Sequence, residues 1–320
     1  MNLQAIQNIV AEPMKAFDDG YRRQMQSSVT IINDIGEYLS QRKGKMLRPL
    51  LTLLAAGVAN DTVADNKVQM AIAMELLHNS TLIHDDVVDE SDRRRGMETI
   101  CHRWSNQIAV LCGDYYLAKV MHLLCLHASY EERDIISRTA IEMSEGELLQ
   151  QQSSRDTNMS ETQYLETIYK KTASLMASCC EVGAWNDRDA SMSKRLREFG
   201  RLFGLAFQMR DDMLDYCPEA QTGKPCGNDI KERKMTLPLI YYYHNASNEE
   251  QQQLLRLLQQ GNITDEEAAQ MVSNVHDSDA IQLTQKKISE TTEQARQLLE
   301  ILPHSPYRDG LMQLTDFLLQ

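Results

Sequence analysis

The chain has 320 residues, 42% of them hydrophobic, and sets 33 Lys and Arg against 46 Asp and Glu for a net charge of −13. That length and apolar content suffice for a large buried core, and the acidic balance without a basic stripe excludes a nucleic-acid partner, which needs concentrated Lys and Arg. The first residues lack a basic region followed by an apolar core, and no uncharged apolar run reaches membrane-spanning length, so the sequence predicts a cytoplasmic protein with no membrane span.

With 7 Pro, 14 Gly, no low-complexity linker and no repeat, residues 1–320 read as one domain. The 7 cysteines form no CxxC pair. Cys112 and Cys125 fall within apolar helical pattern and read as buried thiols, and Cys179 and Cys180 as small core residues. The 8 histidines show no HExxH or other zinc spacing.

In chain order, apolar residues recurring three or four apart predict helices at roughly 3–19, 22–40, 47–59, 65–88, 103–128, 131–152, 160–186 and 193–216. A shorter helix follows at roughly 236–245, then a C-terminal group at roughly 249–259, 264–274, 277–301 and 307–319. Ser160 with Gln163, and Thr264 with Glu267, have the spacing of helix-starting capping boxes. No strand-like alternation competes, so the fold class is all-α: a single large helical bundle around a deep central cavity.

Two stretches carry chemistry. In the first, His84 to Gly96, Asp85 and Asp89 lie four apart on one helical face with Asp86 offset by about 100°, and Arg93, Arg94 and Arg95 follow at once. Crowded carboxylates suit a hard divalent cation such as Mg²⁺, which is held by one or two carboxylates together with phosphate oxygens and water. Forked guanidinium groups suit a diphosphate, and Gly96 allows a sharp turn. One such cluster reads equally well as a solvated helix end neutralised by its arginines. A second copy, Asp211, Asp212 and Asp215 after an apolar approach, with Lys224, Lys231 and Lys234 beyond it, makes coincidence a poor account.

With these motifs the chain resembles the trans-isoprenyl diphosphate synthases of the polyprenyl synthetase family. Further elements extend the resemblance in the right order over residues 44–238: Gly44-Lys45-Met46-Leu47-Arg48-Pro49, Glu75-Leu76-Leu77-His78, Lys171-Thr172-Ala173, Gly223 to Asp229, and Lys234-Met235-Thr236-Leu237-Pro238. The resemblance implies an isoprenoid synthase bundle, a homodimer, and Mg²⁺-assisted condensation of isopentenyl diphosphate with an allylic diphosphate into a long-chain all-trans polyprenyl diphosphate. A short-chain farnesyl or geranylgeranyl synthase and a non-catalytic partner subunit are the alternatives.

By the same resemblance, Asp85, Asp89, Asp211 and Asp215 hold metal, and Asp86 and Asp212 orient metal or water. Arg94, Lys171 and Lys234 would clamp the allylic diphosphate, Gln208 and Thr172 complete its pocket, and Lys224 also binds substrate. Lys45, Arg48, Arg95 and His78 would hold isopentenyl diphosphate. Taken alone, Lys45 and Arg48 equally suit a helix start, and His78 a core histidine. Met46 stands where the family often has a basic residue, and Met97-Glu98-Thr99 replaces a turn that often contains proline. One and two turns before Asp85, Thr81 and Leu77 share its face, flanked by Ser80. The small Thr81 and Ser80 read either as a tail path open at this level, with Met74, Met121 and Cys125 as candidates for a deeper floor, or as room for a neighbouring helix to approach closely; the resemblance favours the tail path.

Overall fold

The computed structural model describes residues 3–41, 44–94, 96–153, 160–187, 190–217 and 226–319. The chain forms two compact units, each assembled from separated stretches. The first comprises Met1–Ala140, Ser178–Arg197 and Ile301–Leu314; the second Ile141–Ala177, Glu198–Glu300 and Thr315–Gln320. Among the described residues the structure is helical apart from one two-residue hairpin.

The first unit is built around α5 (Asp65–Val88), where the sequence placed it. From Met70 to His78 every residue of α5 is buried, and a helix apolar on all sides must be surrounded. Its neighbours are α2 (Ala11–Gln24), α4 (Leu47–Asn60) and, most extensively, α7 (Asn106–His127). The approach of α5 to α7 requires Gly113, where a Cβ would stand 2.2 Å from the His84 ring. Ser80 uses the same closeness to donate its hydroxyl to the Gly113 carbonyl at 2.9 Å.

Helix α3 (Thr30–Ser40) is separate from α2, so the expected helix at 22–40 is interrupted. The Asn33 amide closes that interruption, accepting from Ser27 N and donating to Ser27 O, both at 2.8 Å. This local side-chain bonding competes with helix continuation. The expected helix at 103–128 begins three residues later than predicted, because Trp104 ends a short α6 (Ile100–Arg103) and Ser105 then caps α7.

Cys112, Cys179 and Cys180 are buried as expected, but Cys125 is exposed. Met121 is 61% exposed, so neither it nor Cys125 serves as an inner floor; both lie on the outer side of α7. That helix has the length and hydropathy of a membrane span by composition, although Asp114 and Lys119 interrupt it and its other side packs on α5.

In the second unit the capping boxes of Ser160 with Gln163 and Thr264 with Glu267 form as read, and Ser247 with Glu250 adds one that the sequence reading omitted. The expected helix at 160–186 is α9 (Glu161–Ile168), a π-helical turn at Tyr169–Ala173, and α10 (Ser174–Ala184). The π-turn lies against α8 (Tyr130–Ser153) and α11 (Ser191–Leu214). A Cβ at Gly146 of α8 would stand 2.4 Å from Lys171 N, and one at Gly204 of α11 2.6 Å from Ala173 Cα.

Inside the first unit Lys67 is buried and donates to Glu132 at 2.7 Å and to the Val182 carbonyl at 2.9 Å. Removing one partner of a buried pair strands the other charge, at a cost of about 3–5 kcal/mol. Lys67→Met should therefore lower the melting temperature steeply. Lys67→Met combined with Glu132→Gln should recover much of the loss, since the neutral amide still accepts from Ser129 N as Glu132 does. Thermal melts of both variants check this, and an unchanged single variant would contradict it.

Candidate active site

The two aspartate clusters belong to different units, Asp85, Asp86 and Asp89 to the first and Asp211, Asp212 and Asp215 to the second. In the first unit α5 ends at the motif: Asp89 caps it, donating its N–H to the Asp85 carbonyl at 2.8 Å, and Glu90 reverses the chain at φ 49°. The following residues wrap around Asp86. Ser91 N donates to the Asp86 carbonyl at 3.0 Å, and Cys101 Sγ lies 3.4 Å from the same oxygen. Thr99 Oγ1 donates to the Ser91 carbonyl at 2.6 Å.

Between them Arg93–Arg94 (β1) pairs antiparallel with Met97–Glu98 (β2), Arg93 opposite Glu98 and Arg94 opposite Met97, with Gly96 at φ 78° in the turn. Tyr38 steadies the hairpin by donating to the Glu98 carbonyl at 2.9 Å. The hairpin aims Arg94 at Asp86, whose Oδ1 accepts from Arg94 Nε at 2.5 Å. Asp86 is buried, whereas Asp85 and Asp89 are half-buried. Arg95 lies outside the described residues.

Helix α4 starts at Met46, held at φ 50°, which places exposed Lys45 just before the helix and half-buried Arg48 in its first turn. His78 and Leu77 are buried on α5, Thr81 is half-buried and bonds back to the His78 carbonyl, and Ser80 faces the α7 contact.

The second motif closes α11. Asp211 is exposed, but Asp212 is buried with both oxygens engaged: Tyr164 donates its hydroxyl to Oδ2 at 2.6 Å, and Gln208 donates its amide nitrogen to Oδ1 at 2.7 Å. The Gln208 amide oxygen in turn accepts from Thr172 Oγ1 at 2.8 Å. Burial raises Asp212 to about 6, opposed by the Tyr164 and Gln208 bonds.

Asp215 is turned to the loop after the motif, its Oδ2 accepting from Asp229 N at 2.9 Å, while its own carbonyl accepts from Gly227 N at 2.9 Å. Gly227, at φ 79°, makes that turn. Asp229 is a site residue to which the sequence reading gave no role; burial pushes its carboxyl well above the ordinary range, and the charges of Asp212 and Asp215 push it further. Lys171 pairs with Glu147 at 2.6 Å, and Lys234 with Glu232. Lys224 lies outside the described residues.

The donors offered are all carboxylates, the set a hard divalent cation prefers. Among the described residues no group of three His, Cys, Asp or Glu side chains converges as a metal site by itself.

A helical fold with two DDxxD clusters, each presenting its leading carboxylate and burying its second, defines an isoprenoid synthase. The sequence model described as Polyprenyl synthetase matches residues 29–275. The all-trans-nonaprenyl-diphosphate synthase (geranyl-diphosphate specific) of Rhodobacter capsulatus is 37% identical over 96% of this chain and 94% of its own length. The octaprenyl diphosphate synthase of Escherichia coli (strain K12) is 32% identical over 100% of this chain and 99% of its own. A crystal structure of a polyprenyl synthase from Caulobacter crescentus CB15, complexed with calcium and isoprenyl diphosphate, superimposes with a TM-score of 0.94 at 33% identity, covering 99% of this chain and 97% of that one. The chain belongs to the polyprenyl synthetase family. It is a transferase that elongates prenyl chains, and the family as a whole depends on Mg²⁺.

The leading and second aspartates of this motif differ in what mutation should do. Asp211→Ala should abolish product formation and leave the melting temperature unchanged. Asp212→Ala should also destabilise the fold, because buried Tyr164 loses its acceptor, at about 1–3 kcal/mol for a buried group left unsatisfied, and half-buried Gln208 loses the same acceptor. Equal melting temperatures for the two variants would contradict the assignment.

Proposed function

We propose that this chain condenses isopentenyl diphosphate with an allylic diphosphate and repeats the addition to give a long-chain all-trans polyprenyl diphosphate. The observation that carries the reading is the division of labour repeated in both motifs. Asp85 and Asp211 are open to solvent in part or in full, while Asp86 and Asp212 are buried and hydrogen-bonded.

Bound at Asp85, Asp89, Asp211 and Asp215, Mg²⁺ ions would stabilise the negative charge that develops on the departing diphosphate. Arg94, Lys171, Lys224 and Lys234 hold that diphosphate, with Arg94 oriented by its hairpin. Lys45, Arg48, Arg95 and His78 hold isopentenyl diphosphate, which keeps its own diphosphate and so needs cations alone. Thr172 and Gln208 border the allylic carbon; because the Gln208 amide already bridges Thr172 and Asp212, their main work is to fix the shape of that wall. The double bond of isopentenyl diphosphate attacks the allylic cation, and a proton then leaves to the released pyrophosphate.

The same reading makes residues 1–320 a single catalytic domain, cytoplasmic and without a membrane span. It also makes the protein a homodimer. Leu111, Asp114, Ala118, Met121 and Cys125 of α7 are all exposed and alternate at spacings of three and four. That is the seam a second helix of the same kind would cover, with Leu111 and Met121 at 64% and 61% exposure supplying its apolar contacts.

Relatives named for octaprenyl, nonaprenyl and decaprenyl products support a long chain. Of the two small residues before the motif, Thr81 is the one that leaves a tail path open, because Ser80 is engaged with α7. Thr81→Phe should shorten the product to the farnesyl or geranylgeranyl range while the first condensations continue. Ser80→Phe should mainly destabilise the α5–α7 contact, by about 1–3 kcal/mol or more from overpacking. Incubation with Mg²⁺, isopentenyl diphosphate and farnesyl diphosphate, followed by sizing of the products, checks both. Wild-type products of farnesyl or geranylgeranyl length would replace this reading with a short-chain synthase, and no product at all with a non-catalytic partner subunit.

A further inference from the structure

The π-turn at Tyr169–Ala173 interrupts the helical run and itself carries Lys171 and Thr172, and one residue before it and one within it make two lateral hydrogen bonds to α11. Tyr164, on α9, reaches Asp212; Thr172, inside the turn, reaches Gln208, one helical turn earlier on α11. In an unbroken α-helix, residues eight apart differ by about 80° around the axis, so Tyr164 and Thr172 would not share a face. Lys171, seven residues on, would lie within about 20° of Tyr164 and would take the place facing α11.

A π-turn absorbs one extra residue, a rotation of about 100° accumulated across its length, and most of it has accrued by Thr172, which brings Thr172 back toward the side of Tyr164 and swings Lys171 away. The contacts agree: Thr172 Oγ1 meets Gln208 on α11, and Lys171 Nζ meets Glu147 on α8 at 2.6 Å. The turn is also clamped, since the backbones of α8 and α11 approach it so closely at Gly146 and Gly204 that a methyl group fits at neither.

We propose that Tyr164 is a positioning residue for the second aspartate motif, and that the clamped π-turn serves to set Tyr164 and Thr172 together on the α11 face. Two donors then hold Asp212, directly from Tyr164 and through Gln208 from Thr172, and the end of α11 that presents Asp211 is fixed. The arrangement keeps the Lys171 ammonium off the buried carboxylate and free to move from Glu147 to a diphosphate.

The inference rests on the diphosphate site proposed above, and the test separates the two. Isothermal titration of the full chain with inorganic pyrophosphate plus Mg²⁺, and separately with isopentenyl diphosphate without metal, is compared for wild type, Tyr164→Phe and Gly204→Ala. Loss of one hydrogen bond to a charged, buried acceptor predicts pyrophosphate binding weaker by about tenfold or more in Tyr164→Phe, with isopentenyl diphosphate affinity unchanged. Gly204→Ala, which must displace the turn, should weaken pyrophosphate in the same selective way. A folded Tyr164→Phe or Gly204→Ala that binds pyrophosphate as wild type does overturns the proposal. So does equal weakening of both ligands, which would mark a general structural defect. A wild type that binds no pyrophosphate removes the diphosphate site itself, and the proposal with it.

Discussion

A carboxylate withdrawn from water must be paired or hydrogen-bonded, and that requirement organises both ends of the chemistry in this chain. Asp86 and Asp212 hold the same place in their motifs, and each is buried. Asp86 receives the Arg94 guanidinium, and its backbone carbonyl receives Ser91 N and lies close to Cys101. Asp212 receives Tyr164 and Gln208. Meeting these needs dictates the local fold: a hairpin folded back after α5 in one unit, and a helix with a π-turn laid along α11 in the other. The neighbouring Asp85 and Asp211 stay accessible because their partners in the motif are pinned.

The basic residues follow the same logic. Arg94 points where the hairpin register aims it, and Lys171 points where the π-turn turns it. Each is already matched with an acid, Asp86 or Glu147, in a protein whose net charge is strongly negative. On the function proposed above, a diphosphate binding to either residue would exchange one anionic partner for another, which is less costly than desolvating a free cation.

Much of this was legible in the residues. The span 65–88 has helical spacing and an acid in its first turn, and it folds as α5 with those bounds. Ser160 and Thr264 announce their helices because a cap and its reciprocal partner are both local in sequence. What escaped depends on contacts remote in sequence. The π-turn within 160–186 leaves no mark on the apolar pattern, and its only trace is two glycines far along the chain, Gly146 and Gly204. Tyr164 carries no signal of its own in the sequence, and its hydroxyl gains a role only when Asp212 is brought beside it. The hairpin at 93–98 is too short for strand periodicity, although Gly96 signalled its turn. At Ser80 helical spacing leaves a tail path and a close helix approach both open, because it cannot say how near α7 comes; the bond from its hydroxyl to the Gly113 carbonyl supplies that distance. Cys125 was read as buried for the same reason: apolar spacing on α7 describes two faces, one against α5 and one exposed.

The central claim is that within each motif the leading aspartate serves the metal and the second serves the frame. Counting Mg²⁺ ions bound per chain in the presence of saturating pyrophosphate, for wild type, Asp211→Asn and Asp212→Asn, tests it most directly. The account predicts that Asp211→Asn binds fewer ions than wild type, whereas Asp212→Asn keeps the wild-type number at reduced affinity. An ion lost from Asp212→Asn with the full number retained in Asp211→Asn would contradict it.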